Sequence, residues 1–421
     1  VRNLWKEDRS PRLLPRQIRW QKQHRMYHLA VLNSHPIQYF APFYRRLSLE
    51  PDIDLTVFYC SRKGLDTYFD IDFDARIRWD IDLLQGYKYE FLPNVCRNTE
   101  GHGFFTLVNP SIIKRLKSGN FDAILIHGYQ YSTNLLAVLG AKLSKTALFM
   151  RCDTHSLLRR SPVKSFLRKL FLLSFYNQFD ACLAIGSRNY QFYNAHKVPR
   201  EKIFLVPFSV VNHFFVPPSG FADDYKREIR ADYNLPQKKP LILFVSKLQE
   251  RKHPLHLLEA YALLRRKGLD SALLFVGSGE QKEILEDYVR LNSVPEVTFL
   301  GFRNQSELPR LFSIADIFVL PSENEPWGLV INEAMAAGLP VIVSEEIGAV
   351  PDLVHDNFNG FTFPVGDIHT LSQQMQVLIN DQELRLRMGA ASREIIEDWD
   401  YERGVRGMRA ALSSLPNCQS D

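Results

Sequence analysis

The stretch FVLPSENEPWGLVINEAMAAGLPVIVS, residues 318–344, decides how the second half of this 421-residue chain folds. The pattern predicts a buried strand at 317–320, a loop, a helix from Gly328 and a second strand from Pro340. Gly338 suits the left-handed position that ends such a helix. The stretch is therefore predicted to form one strand–helix–strand unit, and ligands bind beyond the carboxyl end of the first strand in such units.

Two glutamates mark the mouth of this unit. Glu325 lies in the loop and Glu333 on the helix, in an E-x7-E spacing. Carboxylates accept hydrogen bonds from pairs of hydroxyl groups, so both suit a polyol. The first helical N–H groups, at Gly328, Leu329 and Val330, suit an anion. Together these groups predict a pocket for a phosphorylated sugar.

The segment LILFVSKLQERKHPLHLLEAYALLRRKG, residues 241–268, repeats this layout with cations in place of acids. A strand ends near Ser246, and a helix with Pro254 in its first turn follows. Lys247 and Lys252 fall in the loop between them, and Arg251 is an alternative to Lys252. Two cations beside a diphosphate would neutralise charge that develops on a leaving group.

These motifs resemble those of retaining glycosyltransferases of the GT-B fold, family 4, most specifically in PSENEP and EAMAAGLPV. The resemblance implies an α/β protein of two doubly wound, Rossmann-like domains that face a cleft. It also implies that Glu325 and Glu333 face the donor sugar and the ribose, while Lys247 and Lys252 face the diphosphate. Lys247 stands where the family more often has arginine, which weakens bidentate phosphate contact but keeps the charge.

Two further strand ends carry glycines. LLFVGSGEQ ends a strand at Gly277 and contains Gly279, and VTFLGFRNQSEL ends another at Gly301, with Ser306 as a candidate helix N-cap. By resemblance, these glycines and Phe302 belong to the nucleotide-binding wall.

The first half of the chain also alternates strands and helices from Met26 onward, which predicts a second doubly wound sheet. We therefore expect a basic leader, an acceptor domain, a linker, a donor-nucleotide domain and a C-terminal helix that returns toward the first domain. Their respective residues are 1–25, 26–215, 216–240, 241–400 and 401–421.

Three histidines stand at predicted strand ends of the first domain, namely His35, His127 and His155. By resemblance, His155 lies near the transferred sugar, and Arg151 and Asp153 are rivals for that place. The glycine-rich first loop of the family is replaced here by residues 33–36, Asn-Ser-His-Pro.

The segment FDIDFDARIRWDIDLLQGYKYEFLP contains D-x-D triplets, which bind a metal in glycosyltransferases of the other large fold. Alternation of acids with Ile and Phe favours instead a half-buried edge hairpin with its acids outward. We therefore predict no metal site and no cofactor beyond the donor substrate.

Composition limits the remaining classes of function. Residues 1–25 hold eight Lys or Arg and two acids, a net charge of +6, whereas the whole chain has a formal charge of +5. The remainder therefore carries about −1, and nucleic acid is not expected as a partner. The five cysteines lack a C-x-x-C spacing, which predicts a reducing, cytoplasmic compartment. No apolar run reaches the roughly 20 residues of a membrane span.

A basic amphipathic stretch at residues 159–176 could lie on an anionic membrane or pack on its own sheet. The sequence thus predicts a retaining, metal-independent glycosyltransferase that moves a sugar from a nucleotide-diphosphate donor to a saccharide or lipid-linked acceptor, in bacterial surface polysaccharide or glycoconjugate synthesis. The alternatives are a sugar-nucleotide epimerase and a non-catalytic sugar-binding or partner-binding module.

Overall fold

The computed structural model describes residues 25–70, 73–96, 103–155, 171–217 and 222–416. The strands in chain order are β1 (Tyr27–Asn33), β2 (Ile53–Tyr59), β3 (Tyr68–Asp70), β4 (Ala75–Ile77), β5 (Lys88–Phe91), β6 (Ala123–His127), β7 (Ala147–Arg151), β8 (Ala181–Ala184), β9 (Ile203–Leu205), β10 (Leu241–Val245), β11 (Ala272–Val276), β12 (Val297–Phe299), β13 (Ile317–Leu320), β14 (Val341–Ser344) and β15 (Gly360–Phe363).

The helices alternate with these strands. In chain order they are α1 (Ala41–Leu47), α2 (Ser111–Ser118), α3 (Ser132–Ser144), α4 (171–176), α5 (Ser187–Ala195), α6 (Asn212–Phe215), α7 (Ala222–Asp232), α8 (Pro254–Arg266), α9 (Lys282–Leu291), α10 (Leu308–Ile314), α11 (Leu329–Ala336), α12 (Val350–Leu353), α13 (Ile368–Asn380), α14 (Gln382–Glu397) and α15 (Tyr401–Ser413). Among the described residues, no helix combines the length and the apolar character needed to cross a membrane.

Each domain has one parallel sheet with helices on both faces. In the part of the chain that is described, the strand orders are β5-β2-β1-β6-β7-β8-β9 and β12-β11-β10-β13-β14-β15. The inner strands are almost entirely buried and rich in Val, Ile, Leu and Phe, as expected for parallel sheets covered on both sides, whereas the edge strands β5 and β12 are only partly buried. The predicted pair of doubly wound domains is therefore confirmed.

The order of each sheet reverses at one point, between β1 and β6 in the first domain and between β10 and β13 in the second. Loops that follow two such strands run in opposite directions and leave a crevice at their carboxyl ends. In the second domain, the loops after β10 and β13 carry the lysine pair and Glu325. The topology thus brings the two most informative sequence motifs together.

Three segments refine the expected boundaries. Residues 216–240, expected as a linker, contain α7, which packs against α10 and places Arg230 2.7 Å from Asp316. The last helix, α15, packs against the first domain, where Met408 and Leu412 join the core beneath β1 and β2. Arg25 is the one residue of the expected leader that the structure describes, and its Nη2 lies 2.6 Å from the Asp122 Oδ1.

Candidate functional site

A cavity of about 390 Å³ lies between the two domains at the crevice beyond β10 and β13. Lys247, Lys252, Glu325 and Glu333 all line it. The sequence predicted that these four side chains converge, and the structure places them around one space. The predicted residues Gly277, Phe302, Gly328, Leu329 and Val330 also line the cavity, whereas Gly279, Gly301 and His155 lie outside its lining.

Glu325 is held in the cavity lining by contacts of its carboxylate and of its backbone. Its carboxylate accepts a hydrogen bond from the Lys252 ammonium, and the Arg251 guanidinium lies 3.7 Å away. Its backbone oxygen accepts from the Gly348 N–H at 3.0 Å. The exposed fraction of the Glu325 side chain is only 13%. The acid therefore has a fixed place, with its charge balanced by the neighbouring cations.

Glu333 points from α11 into the same cavity and is 1% exposed. Burial raises the pKa of Glu333 to about 8, opposed by a hydrogen bond with the Tyr39 hydroxyl. Among the described residues, its Oε1 atom has no hydrogen-bond partner. A buried polar atom without a partner is costly, so this carboxyl group is suited to a hydroxyl of a bound ligand.

The two lysines are held differently. Lys252 ends a short 3-10 turn, Glu250–Lys252, and its side chain is 10% exposed. Burial lowers the pKa of Lys252, although Glu325 opposes that shift. Lys247 follows β10, and its Nζ lies 3.3 Å from Asp70 of the first domain. Arg251 also lines the cavity but is more exposed than Lys252, so both remain within reach of a ligand.

Gly328 and Gly277 shape the part of the cavity lining that carries the lysines and glutamates. Gly328, expected as the first helical residue, is instead the N-cap of α11 and has a φ of 88°, which favours glycine. A Cβ atom at Gly277 would lie 1.9 Å from the backbone oxygen of Ser246. The chain after β10 therefore passes directly over Gly277, which brings Lys247 to the cavity.

The strand-end histidines of the first domain do not line the cavity. The His155 Nε2 lies 3.1 Å from the backbone oxygen of Glu325, and burial lowers the pKa of His155. His127 stacks on Phe40, and burial lowers its pKa to about 3. Burial also lowers the pKa of His35, to about 4. His155 thus touches the site through the backbone of Glu325.

Arg151 and Asp153, the two alternatives to His155, lie in different environments. Arg151 is buried and donates to the backbone oxygens of Val206 and Pro207 at 3.0 and 2.9 Å. It therefore ties β7 to the chain after β9. Asp153 lines the cavity, and burial raises its pKa.

The segment β3–β4 is the feature that sequence reasoning misjudged. It is an antiparallel hairpin, but it forms a separate two-stranded sheet and not the edge of a larger one. The expectation that its acids point outward is wrong for Asp70, which lines the cavity. The Phe73 and Trp79 rings meet Phe302 at centroid distances of 5.0 and 6.1 Å. Aromatic residues among the acids were the signal for a buried face.

Ser306 also differs from expectation. Glu307, and not Ser306, is the N-cap of α10. The Ser306 hydroxyl donates instead to the Asp80 carboxylate of the first domain.

Tyr39, which contacts Glu333, was missed by the sequence analysis. Nothing in the local sequence of the first domain indicates a contact with Glu333 on the second.

No group of three or more His, Cys, Asp or Glu side chains within the described ranges is arranged to hold a metal ion. Residues 159–170 of the basic amphipathic stretch lie outside the described residues. In the described part, Leu172 and Phe175 are buried in the core of the first domain.

Comparison with known proteins finds sequence similarity mainly in the second domain. Residues 225–395 match the family model described as "Glycosyl transferases group 1". The chain is 33% identical to sulfoquinovosyl transferase SQD2 of Arabidopsis thaliana over 185 residues, which cover 43% of this chain and 33% of that protein. It is 30% identical to N-acetyl-alpha-D-glucosaminyl L-malate synthase of Bacillus anthracis over 212 residues, 47% of this chain and 55% of that protein. The matches thus span about half or less of these relatives.

Solved structures resemble nearly the whole chain. Anabaena Alr3699/HepE in complex with UDP superposes with a TM-score of 0.70 at 18% identity, covering 93% of this chain and 100% of that one. A glycosyltransferase from Rickettsia africae superposes with a TM-score of 0.71 at 17% identity, covering 93% and 99%. This likeness confirms the GT-B fold.

Proposed function

We propose that this chain, whose residues 225–395 match the family model of the group 1 glycosyl transferases, moves a sugar from a nucleoside-diphosphate donor to a saccharide or lipid-linked acceptor. The single observation that carries the proposal is the convergence of two lysines and two glutamates on one interdomain cavity. Opposite charges so arranged fit a ligand that has an anionic part and a polyol part.

The donor would be held by the second domain. The N-terminus of α11 and the ammonium groups of Lys247 and Lys252 would bind the diphosphate. Glu325 would accept hydrogen bonds from the sugar hydroxyls, and Glu333, with its unpartnered Oε1, from the ribose. Gly277 and Phe302 would form the wall beside the base and ribose. The UDP and UDP-glucose complexes of Anabaena Alr3699/HepE support a nucleotide sugar as the ligand class.

The reaction would retain the configuration of the sugar and require no metal. The leaving phosphate oxygen would take the proton of the acceptor hydroxyl on the same face of the sugar. Lys252 would stabilise the negative charge on that oxygen, which explains why a cation is kept in so buried a place. His155 would act as a positioning residue, because it contacts the backbone of Glu325.

The acceptor would enter along the first-domain wall, where Asp153 lines the cavity and can accept a hydrogen bond from a hydroxyl. One relative, 30% identical over 203 residues, is a GDP-mannose-dependent alpha-(1-6)-phosphatidylinositol monomannoside mannosyltransferase of Mycobacterium tuberculosis. We infer a comparable acceptor, in bacterial surface polysaccharide or glycoconjugate synthesis. The described cysteines are free thiols, which fits a cytoplasmic enzyme.

The first domain carries a surface suited to the inner face of an anionic membrane. Leu135, Leu139 and Leu143 form an exposed stripe along α3, and Phe171 of α4 is 47% exposed. The segment 111–145, which includes α2 and α3, contains five Lys or Arg and one acid. Apolar side chains flanked by cations favour the headgroup region of anionic lipids.

Vesicle sedimentation tests this surface. The protein should bind vesicles of phosphatidylglycerol and phosphatidylcholine but not vesicles of phosphatidylcholine alone, and Leu139→Glu should weaken binding. Leu386→Glu is the control, because Leu386 is an exposed leucine of α14 in the other domain. Equal binding to both kinds of vesicle, or equal effects of the two substitutions, would contradict the docking surface.

A donor panel tests the enzymatic function. UDP-glucose, UDP-N-acetylglucosamine, GDP-mannose and ADP-glucose are incubated with saccharide and lipid-linked acceptors, and released nucleoside diphosphate is measured with and without EDTA. We expect release from one donor, undiminished by EDTA and lost in Glu325→Ala. Interconversion of donor sugars without an acceptor, seen by NMR, would favour an epimerase. Donor binding without turnover would favour a binding module.

A further inference from the structure

The Asp70 carboxylate of the first domain occupies a place beside the predicted diphosphate site. Its Oδ1 lies 3.3 Å from the Lys247 Nζ, and both residues line the cavity. The side chains are only 16% and 24% exposed. The same ammonium lies 4.6 Å from the centre of the Phe73 ring. Lys247 is thus held from across the domain boundary by the β3–β4 hairpin.

The Asp70 carboxylate is itself oriented by its own hairpin. Its Oδ1 accepts a hydrogen bond from the Phe73 N–H at 3.1 Å, and its Oδ2 accepts one from the Tyr68 hydroxyl at 3.4 Å. A carboxylate fixed by such contacts differs from a surface acid that samples many rotamers. Its charge therefore acts at a defined position.

The hairpin region is also anchored to the donor domain away from Lys247. The Asn304 amide donates to the backbone oxygen of Arg78 at 2.6 Å, and the Asp80 carboxylate accepts from the Ser306 hydroxyl. The Trp79 ring meets Phe302. These contacts, at residues 78–80, hold the chain that follows the hairpin against the second domain.

This arrangement creates an electrostatic conflict with a bound diphosphate. A nucleoside diphosphate carries at least two negative charges and would approach Lys247, the partner of Asp70. A carboxylate a few ångströms from phosphate oxygens repels them, and the repulsion is strong where water is scarce. Asp70 and the diphosphate therefore compete for one ammonium group.

We propose that Asp70 is a positioning residue that holds Lys247 when the donor site is empty and weakens the binding of nucleoside diphosphates, so that the product leaves readily. This inference rests on the proposed function, because it assigns the diphosphate to Lys247. Asp70 takes no part in bond making or breaking. Its effect is to set the affinity of the site for the anionic part of its ligands.

Asp70→Asn tests the proposal, because it removes the charge and keeps the shape of the side chain. The amide oxygen can still accept from the Phe73 N–H, and the amide NH2 can donate to the Tyr68 hydroxyl oxygen. Binding of UDP, GDP and ADP is measured by calorimetry, and dissociation rates by stopped flow. The nucleotide that binds the wild type should bind Asp70→Asn about tenfold more tightly, the scale of a coupling between close charges, with slower dissociation. Asp70→Glu, which keeps the charge, should stay near the wild type.

Asp74→Asn is the matched control, because Asp74 lies in the turn of the same hairpin with its side chain exposed. Its φ of 48° is also well tolerated by asparagine. It should leave nucleotide affinity unchanged. A purely structural role of Asp70 would make Asp70→Asn bind more weakly, and that result, or an unchanged affinity, would overturn the proposal. If the wild type binds none of the three nucleotides, the proposed function itself fails and the inference falls with it.

Discussion

Replacement of Lys252 by methionine separates the chemical role of this residue from its part in folding. Lys252→Met keeps the length of the side chain and removes the ammonium that contacts Glu325. We expect the turnover number to fall by about 10²–10³-fold, the loss found when one group that stabilises developing charge is removed. The free energy of unfolding should fall by only about 1–2 kcal/mol, the scale of most single substitutions.

The small effect on stability follows from the surroundings of the ion pair. At contact, and with an effective dielectric constant of about 20, two unit charges attract by about 4 kcal/mol. Burial of Lys252 opposes this gain, since its pKa is lowered in spite of Glu325. After the substitution, Arg251, whose Nη1 lies 3.7 Å from Glu325, still compensates that carboxylate. Most of the attraction is thus already offset in the native protein.

Lys226→Met is a matched control in the same domain. The Lys226 Nζ lies 2.6 Å from Asp316, the side chains are 26% and 19% exposed, and Arg230 remains as a second partner of Asp316. Both variants therefore lose one lysine of an Arg–Lys–carboxylate cluster, and neither Lys226 nor Asp316 lines the cavity.

The assay combines urea unfolding with initial rates of nucleoside diphosphate release from the donor that the panel identifies. Similar losses of stability in the two variants, with turnover lost only in Lys252→Met, would support the reasoning. Turnover of Lys252→Met within threefold of the wild type, or equal losses of activity in both variants, would refute it.

Two further predictions concern Glu333 and Gly277. Burial raises the folded-state pKa of Glu333 from its ordinary value of 4.5 to about 8. The unfolded chain therefore releases this proton first, and Glu333 lowers the free energy of unfolding as pH rises through that window. Between pH 5 and pH 8, the free energy of unfolding of Glu333→Gln should therefore rise by at least about 1 kcal/mol relative to that of the wild type. A difference between the two proteins that does not change with pH in urea titrations would contradict this. Gly277→Ala should lower the free energy of unfolding by about 3 kcal/mol or more, because its Cβ would lie 1.9 Å from a backbone oxygen. Gly366→Ala, with a φ of 86° and nothing within 4 Å of the added Cβ, should lower it by only about 1 kcal/mol. Equal midpoints of urea unfolding for the two alanine variants would show that the close approach at Gly277 is relieved without cost.

The elements of the second domain were accessible from sequence because their signals are local. The apolar run 317–320 became β13, Pro254 became the first residue of α8, and Gly338 took the left-handed conformation with a φ of 80°. The E-x7-E spacing likewise depends on one loop and one helix. Propensity and periodicity act over a few residues, so such features can be predicted from the chain alone.

The two domains and the convergence of Lys247, Lys252, Glu325 and Glu333 on one cavity were thus predictable from the chain itself, because parallel strands align their carboxyl ends and each loop follows its own strand. Only the tertiary structure decided that Asp70 faces Lys247 and that Tyr39 reaches Glu333. Those contacts join residues far apart in sequence and depend on how two separately folded domains meet. A local pattern records whether a side chain can be buried, but not which surface will bury it.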